Sequence, residues 1–310
     1  MRSVLALLLA LLLVIPCAAL GEDVIIEEEE EVLFSCPLPI DFTGGYAPQE
    51  DGYEGETIYR DPTIRVEVVY KDATEYIHGY KKRDAGAWIV DIRIGDASQL
   101  RTAAAESFNS DATRQPGDMA DELNAVVAFN GDYVTRLNEG FIIRQGVSYR
   151  DKLKGKRDVL LIDENGDFHV FHLPKKGELS DTVDGKKVIN AFYFGPILVE
   201  NGEVPTKLPD FQYLRPEKNY ARIAICQVGP LHYKMILTTM EQDYTLGLQL
   251  KDLAQLCKDE GAVIAYNLDG GLSTTLYFNH NRLNSQHKVN FRPIPDIIYF
   301  ASAWTGEAQE

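Results

Sequence analysis

Hydrophobic and polar residues alternate over the first regular stretch of the chain. Ile64, Val66, Val68 and Tyr70 are separated by charged or polar neighbours, the period of a half-buried strand. Ala87 to Ile94 (AWIVDIRI) repeats the pattern, and Ala125 to Phe129 is a continuous apolar run that reads as a fully buried strand. Turn chemistry predicts three hairpins: one at Glu164-Asn165-Gly166-Asp167, one at Glu200-Asn201-Gly202-Glu203 after PILV, and one through Val228-Gly229-Pro230. Residues 102 to 125 read as helical or irregular. The clearest helix is Leu248 to Lys258, where Leu250, Leu253, Ala254 and Cys257 fall on one face and Gly261 is placed to end it. Strands outnumber helices, and no repeat or low-complexity linker divides the chain. The expected fold class is α+β: a single mixed domain over residues 58–310, with largely antiparallel sheets and flanking helices.

What precedes that domain has a different character. Arg2, the apolar run Val4 to Ile15, Pro16 and the small residues Ala18, Ala19 and Gly21 read as a signal peptide over 1–21. The run is short for a membrane span, so contact with a membrane is expected only through this segment, and the mature protein is expected to be secreted or in the cell envelope. Residues 22–57, with the acidic run Glu27 to Glu31 and a Pro/Gly/Tyr-rich stretch, read as an irregular arm packed across the domain. Tyr46 and Tyr53 are read there as packing residues.

Composition narrows the function classes. Hydrophobic residues make up 45% of the chain and support a sizeable core. The net charge of −16 argues against a nucleic-acid partner, which needs a basic face, but leaves room for a phosphate-bearing small substrate held by a local arginine. Beyond the leader, Cys36, Cys226 and Cys257 allow one disulfide at most and have no zinc spacing. The six histidines form no short-spaced ligand motif, so a two-metal phosphodiesterase is disfavoured. No serine-nucleophile elbow is present.

Three segments share one grammar, an apolar strand that ends in polar residues with glycine: AVVAFNGDY, YFGP and AVIAYNLDGG. A buried strand presents a carboxylate only where it leaves the core, and glycine there lets the backbone turn and a ligand approach. In Asn267 to Thr275 (NLDGGLSTT), Asn267 and Asp269 point to one side of an extended chain. Gly270 and Gly271 offer consecutive amides for an anion, and Ser273, Thr274 and Thr275 add hydroxyls.

NLDGGLSTT resembles the signature of the phosphodiester glycosidases, a family that includes the lysosomal enzyme removing N-acetylglucosamine from a phosphodiester, and exported bacterial proteins linked to exopolysaccharide. The Asn130 to Tyr133 stretch (NGDY), Gly195 to Gly202, the Arg222 to Ile225 strand and the helix before the DGG strand match in the family's order, so the resemblance spans about residues 85–303. It implies hydrolysis of a sugar-1-phosphodiester, N-acetylglucosamine being one candidate sugar. Two departures stand out: Leu272 where the family has a small residue, and Met240-Glu241-Gln242-Asp243 where it often has Asp-Gly-Arg.

On this resemblance Asp269 is the expected catalytic carboxylate and Asp132 its partner, with Glu241 and Asp243 as further candidates for the base; paired carboxylates are the usual glycosidase arrangement. Arg222 is the expected phosphate contact. Asn130, Gly131, Asn267, Gly270, Gly271, Ser273, Thr274 and Gly195 are expected to bind substrate. No cofactor is required, although calcium would suit clustered Asp and Asn oxygens. The competing reading is a non-catalytic envelope protein that binds cell-wall or exopolysaccharide glycans with the same pocket.

Overall fold

The computed structural model describes residues 32–77, 84–135, 137–211, 214–238, 247–284 and 292–306. The leader, the run Glu27 to Glu31, and Glu241 and Asp243 lie outside the described residues.

The described strands build three sheets, and every pairing between them is antiparallel. The largest has eight strands, in the order Tyr53–Glu54, Ile58–Asp61, Ile64–Asp72, Gly86–Ile94, His232–Thr238, Arg222–Gly229, Ile264–Asn267 and Ile197–Val199. A five-stranded sheet runs Asn281–Arg282, Leu276–Phe278, Ala125–Asn130, Asp296–Ala301, Leu100–Ala104. A six-stranded sheet centres on Lys186–Phe192, flanked by Val159–Asp163 and Gly140–Arg144.

The alternation seen in the sequence becomes two-sided packing. Ile64, Val66 and Val68 are buried while Arg65 and Glu67 are half-buried. In Gly86–Ile94, Val90, Ile92 and Ile94 enter a core shared by all three sheets, where they meet side chains such as Phe129, Leu160, Ile223 and Ile298. Ala87 and Ile89 point the other way, into a second core closed by the helix Leu250–Asp259. That helix buries the expected face, Leu250, Leu253, Ala254 and Cys257, against Ala224, Cys226, Ile236 and Ala265. Gly261, at φ +86°, ends it in the left-handed conformation that an L side chain resists.

Three expectations need correction. Helices are a smaller part of the fold than flanking layers would be: the described α-helices are Pro116–Glu122 and Leu250–Asp259. The segment read as helical or irregular from residue 102 begins as the strand Leu100–Ala104, which pairs with Asp296–Ala301; its small residues hid a strand that tertiary pairing supplies. Ile197–Val199 ends in the expected Glu200–Glu203 turn, but its strand partner is Ile264–Asn267, not a strand after the turn.

From Leu33 the arm is stitched onto the sheets by its own backbone. Phe34 N–H donates to the Pro62 carbonyl at 2.7 Å and Leu38 N–H to Ser98 Oγ at 2.8 Å. The buried Arg101 guanidinium donates to the Pro39 and Asp41 carbonyls, each at 3.0 Å. An irregular segment satisfies its polar groups in this way without regular structure. Tyr53 packs on Tyr59 and Phe278, with ring centroids 4.7 and 5.7 Å away, while Tyr46 bridges to Ser302.

Candidate active site

Two strands from different sheets, Ala125–Asn130 and Ile264–Asn267, deliver their ends to one place. The side-chain amide of Asn130 donates to the Asp269 carbonyl at 2.7 Å and to the Gly131 carbonyl at 3.1 Å, while its Oδ1 accepts from Thr275 N–H at 3.0 Å. Asn267 Nδ2 donates to the Gly195 carbonyl at 2.8 Å, and Gly195 N–H returns a bond to the Asn267 carbonyl at 3.2 Å. Both asparagines are almost wholly buried. Each is a latch that fixes one glycine-containing loop against another strand end.

Asp269 sits on the wall of a cleft of about 540 Å³. Tyr133, Phe194, Arg215, Tyr220, Arg222, Asn267, Gly270, Gly271, Leu272 and Arg292 contribute to the lining. Burial pushes the Asp269 carboxyl up to about 6, against the opposing pull of Ser273, Arg292 and the Gly270 amide. Arg292 Nη2 lies 3.3 Å from Asp269 Oδ2 and also donates to Ser273 Oγ. Its guanidinium stands 5.8 Å from the centroid of the Tyr133 ring, and its side chain is 44% exposed, so it remains open toward the cleft.

The glycine pair works differently from the sequence reading. Gly270 N–H donates to Asp269 Oδ1 at 3.0 Å, and Gly271 N–H to the Ala221 carbonyl at 2.8 Å. Both amides therefore hold the loop instead of forming a vacant anion cradle. A Cβ at Gly270 would lie 2.6 Å from the Ala221 carbonyl oxygen, which explains the glycine as a close approach between two loops. Ser273 and Thr274 are buried beneath this loop, Ser273 against Arg292 and Thr274 with its carbonyl accepting from Asn284 at 2.8 Å. Leu272 is the exposed member, at 59%, on the cleft lining.

Arg222 also departs from expectation. Its guanidinium donates to four backbone carbonyls: Leu248 at 2.9 Å, Leu214 at 3.3 Å, Arg215 at 2.9 Å and Lys218 at 3.0 Å. Burial lowers its pKa to about 10. Arginine is suited to gathering several carbonyls, and here that task takes four of its five N–H donors and makes it a scaffold for the cleft wall.

Asp132 is fully buried and is not among the cleft-lining residues. Its Oδ1 accepts from Arg144 Nη2 at 2.7 Å and its Oδ2 from Tyr193 N–H at 2.7 Å. Arg144, itself fully buried between the rings of Phe108 and Phe192, also lies 3.8 Å from Asp296 Oδ2. Asp296 is the second buried carboxylate of this layer. Burial pushes it up to about 8, with the Asp132 charge adding to the effect. Gly131 belongs to the same arrangement: a Cβ there would fall 2.0 Å from Asp296 Oδ2.

Sequence reasoning missed Arg292 and Asp296. Asp296 opens an apolar strand, PDIIYF, and so carries the inverse of the strand-end grammar: a carboxylate at the start of a buried strand. Arg292 follows Phe291 with no periodic signal. Among the described residues no group of three or more His, Cys, Asp and Glu side chains is arranged to hold a metal ion.

The fold is β-rich and antiparallel, and one cleft wall carries an aspartate of raised pKa beside an arginine. The profile of the phosphodiester glycosidase family matches residues 123–301, more than half of the chain, and the protein belongs to that family. Among solved structures, the fold is similar to the zebrafish N-acetylglucosamine-1-phosphodiester alpha-N-acetylglucosaminidase catalytic domain auto-inhibited by its pro-peptide. The TM-score is 0.63 at 16% identity, covering 83% of this chain and 87% of that one. It is also similar to a putative exported protein from Burkholderia pseudomallei, with a TM-score of 0.51 at 12% identity, covering 72% and 75% of the two chains. No curated protein sequence matches it. No helix among the described residues is long and apolar enough to cross a membrane.

Proposed function

We propose that the protein is an exported hydrolase that cleaves a sugar from a sugar-1-phosphodiester in the cleft beside Asp269. The observation that carries the reading is the pairing of Asp269 with Arg292, 3.3 Å apart on the cleft wall. Departure of a phosphate from an anomeric carbon needs its charge neutralised more than it needs strong acid, and a guanidinium does that with two parallel donors. Arg292 takes the phosphate role that the sequence suggested for Arg222. Arg215, which donates to the Tyr220 hydroxyl at 2.5 Å on the same lining, adds a second cation for the phosphate side.

Asp269 is the carboxylate that faces the sugar. A carboxyl titrating near 6 is ionised at neutral pH yet basic enough to draw a proton from an attacking water. The oxocarbenium character of the transition state gains further from that negative charge. N-acetylglucosamine is the first sugar to test, because the family and the zebrafish neighbour point to it.

The test is incubation with N-acetylglucosamine-1-phospho-methyl and related phosphodiesters in heavy-oxygen water, beside Asp269→Asn. Free sugar carrying the label, produced by wild type and not by the variant, supports the reading. Label entering phosphate instead would mean cleavage of the P–O bond and would sink it. Glycan binding without turnover of any sugar phosphodiester would leave a binding protein.

A further inference from the structure

Beneath the cleft wall two buried carboxyls compete for one guanidinium. Asp132 and Asp296, with side chains 0% and 1% exposed, share a single guanidinium, that of Arg144, at 2.7 and 3.8 Å. Two buried carboxylates beside one buried cation leave a net negative charge out of reach of water, an arrangement that proteins relieve by protonation. The two acids are not equivalent. Asp132 accepts from Arg144 and from the Tyr193 amide. Neither oxygen of Asp296 has a hydrogen-bond partner of good geometry among the described residues, the Asp132 amide giving the nearest support. The poorly solvated acid is the one that keeps the proton.

We propose that Asp296 is a neutral carboxylic acid at working pH and acts as a positioning residue, keeping the charge beneath Asp269 at a level that admits an anionic substrate. The groups that face it are Asp132, Arg144 and Asp269. One step further out are Arg292, paired with Asp269, and two cations in the field of Asp132: Arg150, which donates to the Val134 and Leu137 carbonyls, and the buried Arg157. With Asp296 neutral, each remaining carboxylate has its own paired guanidinium, Asp132 with Arg144 and Asp269 with Arg292. Ionising Asp296 adds a third negative charge behind the cleft wall. That charge opposes an incoming phosphate and raises the affinity of Asp269 for a proton.

The rate half of this inference rests on the proposed hydrolysis; the proton half does not. Wild type and Asp296→Asn are compared by infrared difference titration of the full chain and by the pH profile of sugar-phosphodiester hydrolysis. The expected infrared result is a protonated-carboxyl band in wild type at pH 7 that fades around pH 8 and is absent from Asp296→Asn. In the rate profile, kcat/KM of wild type falls above pH 8 through a rise in KM, and the plateau of the variant, whatever its height, continues past that point. Asp132→Asn is the second variant: with Arg144 left to Asp296 alone, the band at pH 7 disappears there too. A wild type without that band, or a band that survives in Asp296→Asn, overturns the inference. So does an alkaline fall in rate that the variant retains. Failure of wild type to turn over any sugar phosphodiester removes the proposed function and leaves the infrared result to decide the proton.

Discussion

The Asn130 side chain holds the main chain of Asp269: its Nδ2 donates to the Asp269 carbonyl at 2.7 Å across 139 residues of sequence. Two motifs that look like separate loops are thereby one construction, in which the NGD segment sets the position of the DGG segment. Asn130→Ala removes that bond and leaves the Asp269 carbonyl and the Thr275 amide without their partner. Each buried group left unpaired costs about 1–3 kcal/mol, so a loss of about 2–6 kcal/mol is expected in urea unfolding. Activity should fall further than the residual folded fraction explains, because the Asp269 loop is no longer fixed. A variant that loses stability yet keeps full kcat would show that the latch serves folding alone.

Gly131 is required by Asp296 and not by turn geometry. A Cβ at this position would lie 2.0 Å from Asp296 Oδ2 and 2.4 Å from its Cγ. Gly131→Ala should therefore destabilise by about 3 kcal/mol, the upper end for overpacking a tight interior. Shortening the opposing side chain should restore part of this. The double variant Gly131→Ala/Asp296→Ala is expected to be more stable than additivity of the single changes allows. Strict additivity would contradict the contact.

The acid side of the pH profile belongs to Asp269. Its carboxyl, raised by burial to about 6, must lose its proton to act as a base, so kcat/KM should rise through pH 6 and reach its plateau above it. Stability runs the opposite way. A folded-state pKa above the ordinary carboxyl value means that the protonated form is favoured by the fold. Its contribution is complete below about pH 4 and is lost as pH rises through 6. Asp269→Asn should remove the activity limb and flatten the Asp269 share of the fall in Tm between pH 4 and 6, leaving the share that Asp296 contributes up to about pH 8. Flattening without loss of activity would leave Asp269 buried and titrating but outside the chemistry.

Much of the fold was legible because its strands are periodic and its helix is amphipathic. The three turns fell where Asn-Gly and Gly-Pro pairs stand, and NLDGG marked the cleft through its composition. The residues that were misread or missed are those whose role depends on partners that only the folded chain assigns. Arg222 looks like an anion ligand in sequence, yet its donors meet the carbonyls of residues 214, 215, 218 and 248. Asp296 looks like a polar strand edge, and its importance comes from Asp132 and Arg144, which lie on other elements. The amides of Gly270 and Gly271 read as available donors until the fold assigns them acceptors.

Two of the three arginines on the cleft lining, Arg222 and Arg292, separate structure from recognition, and substituting each should give opposite signatures. Arg222→Met strips donors from four carbonyls at a buried site, so a loss of about 2–4 kcal/mol in unfolding free energy is expected. Arg222→Lys should recover little of it, since one ammonium cannot reach the acceptors that a planar fork spans. Arg292 is 44% exposed, and its replacement by Ala should leave stability within about 0.5 kcal/mol of wild type. Its loss should instead lower kcat/KM by about ten- to a hundredfold, the worth of a hydrogen bond to a charged group. The deficit should be smaller for a substrate whose leaving group carries no negative charge, because the lost cation has nothing to neutralise there. An Arg292→Ala enzyme equally impaired on charged and neutral leaving groups would place this arginine on the sugar, or on Asp269 alone, and would return the phosphate to Arg215.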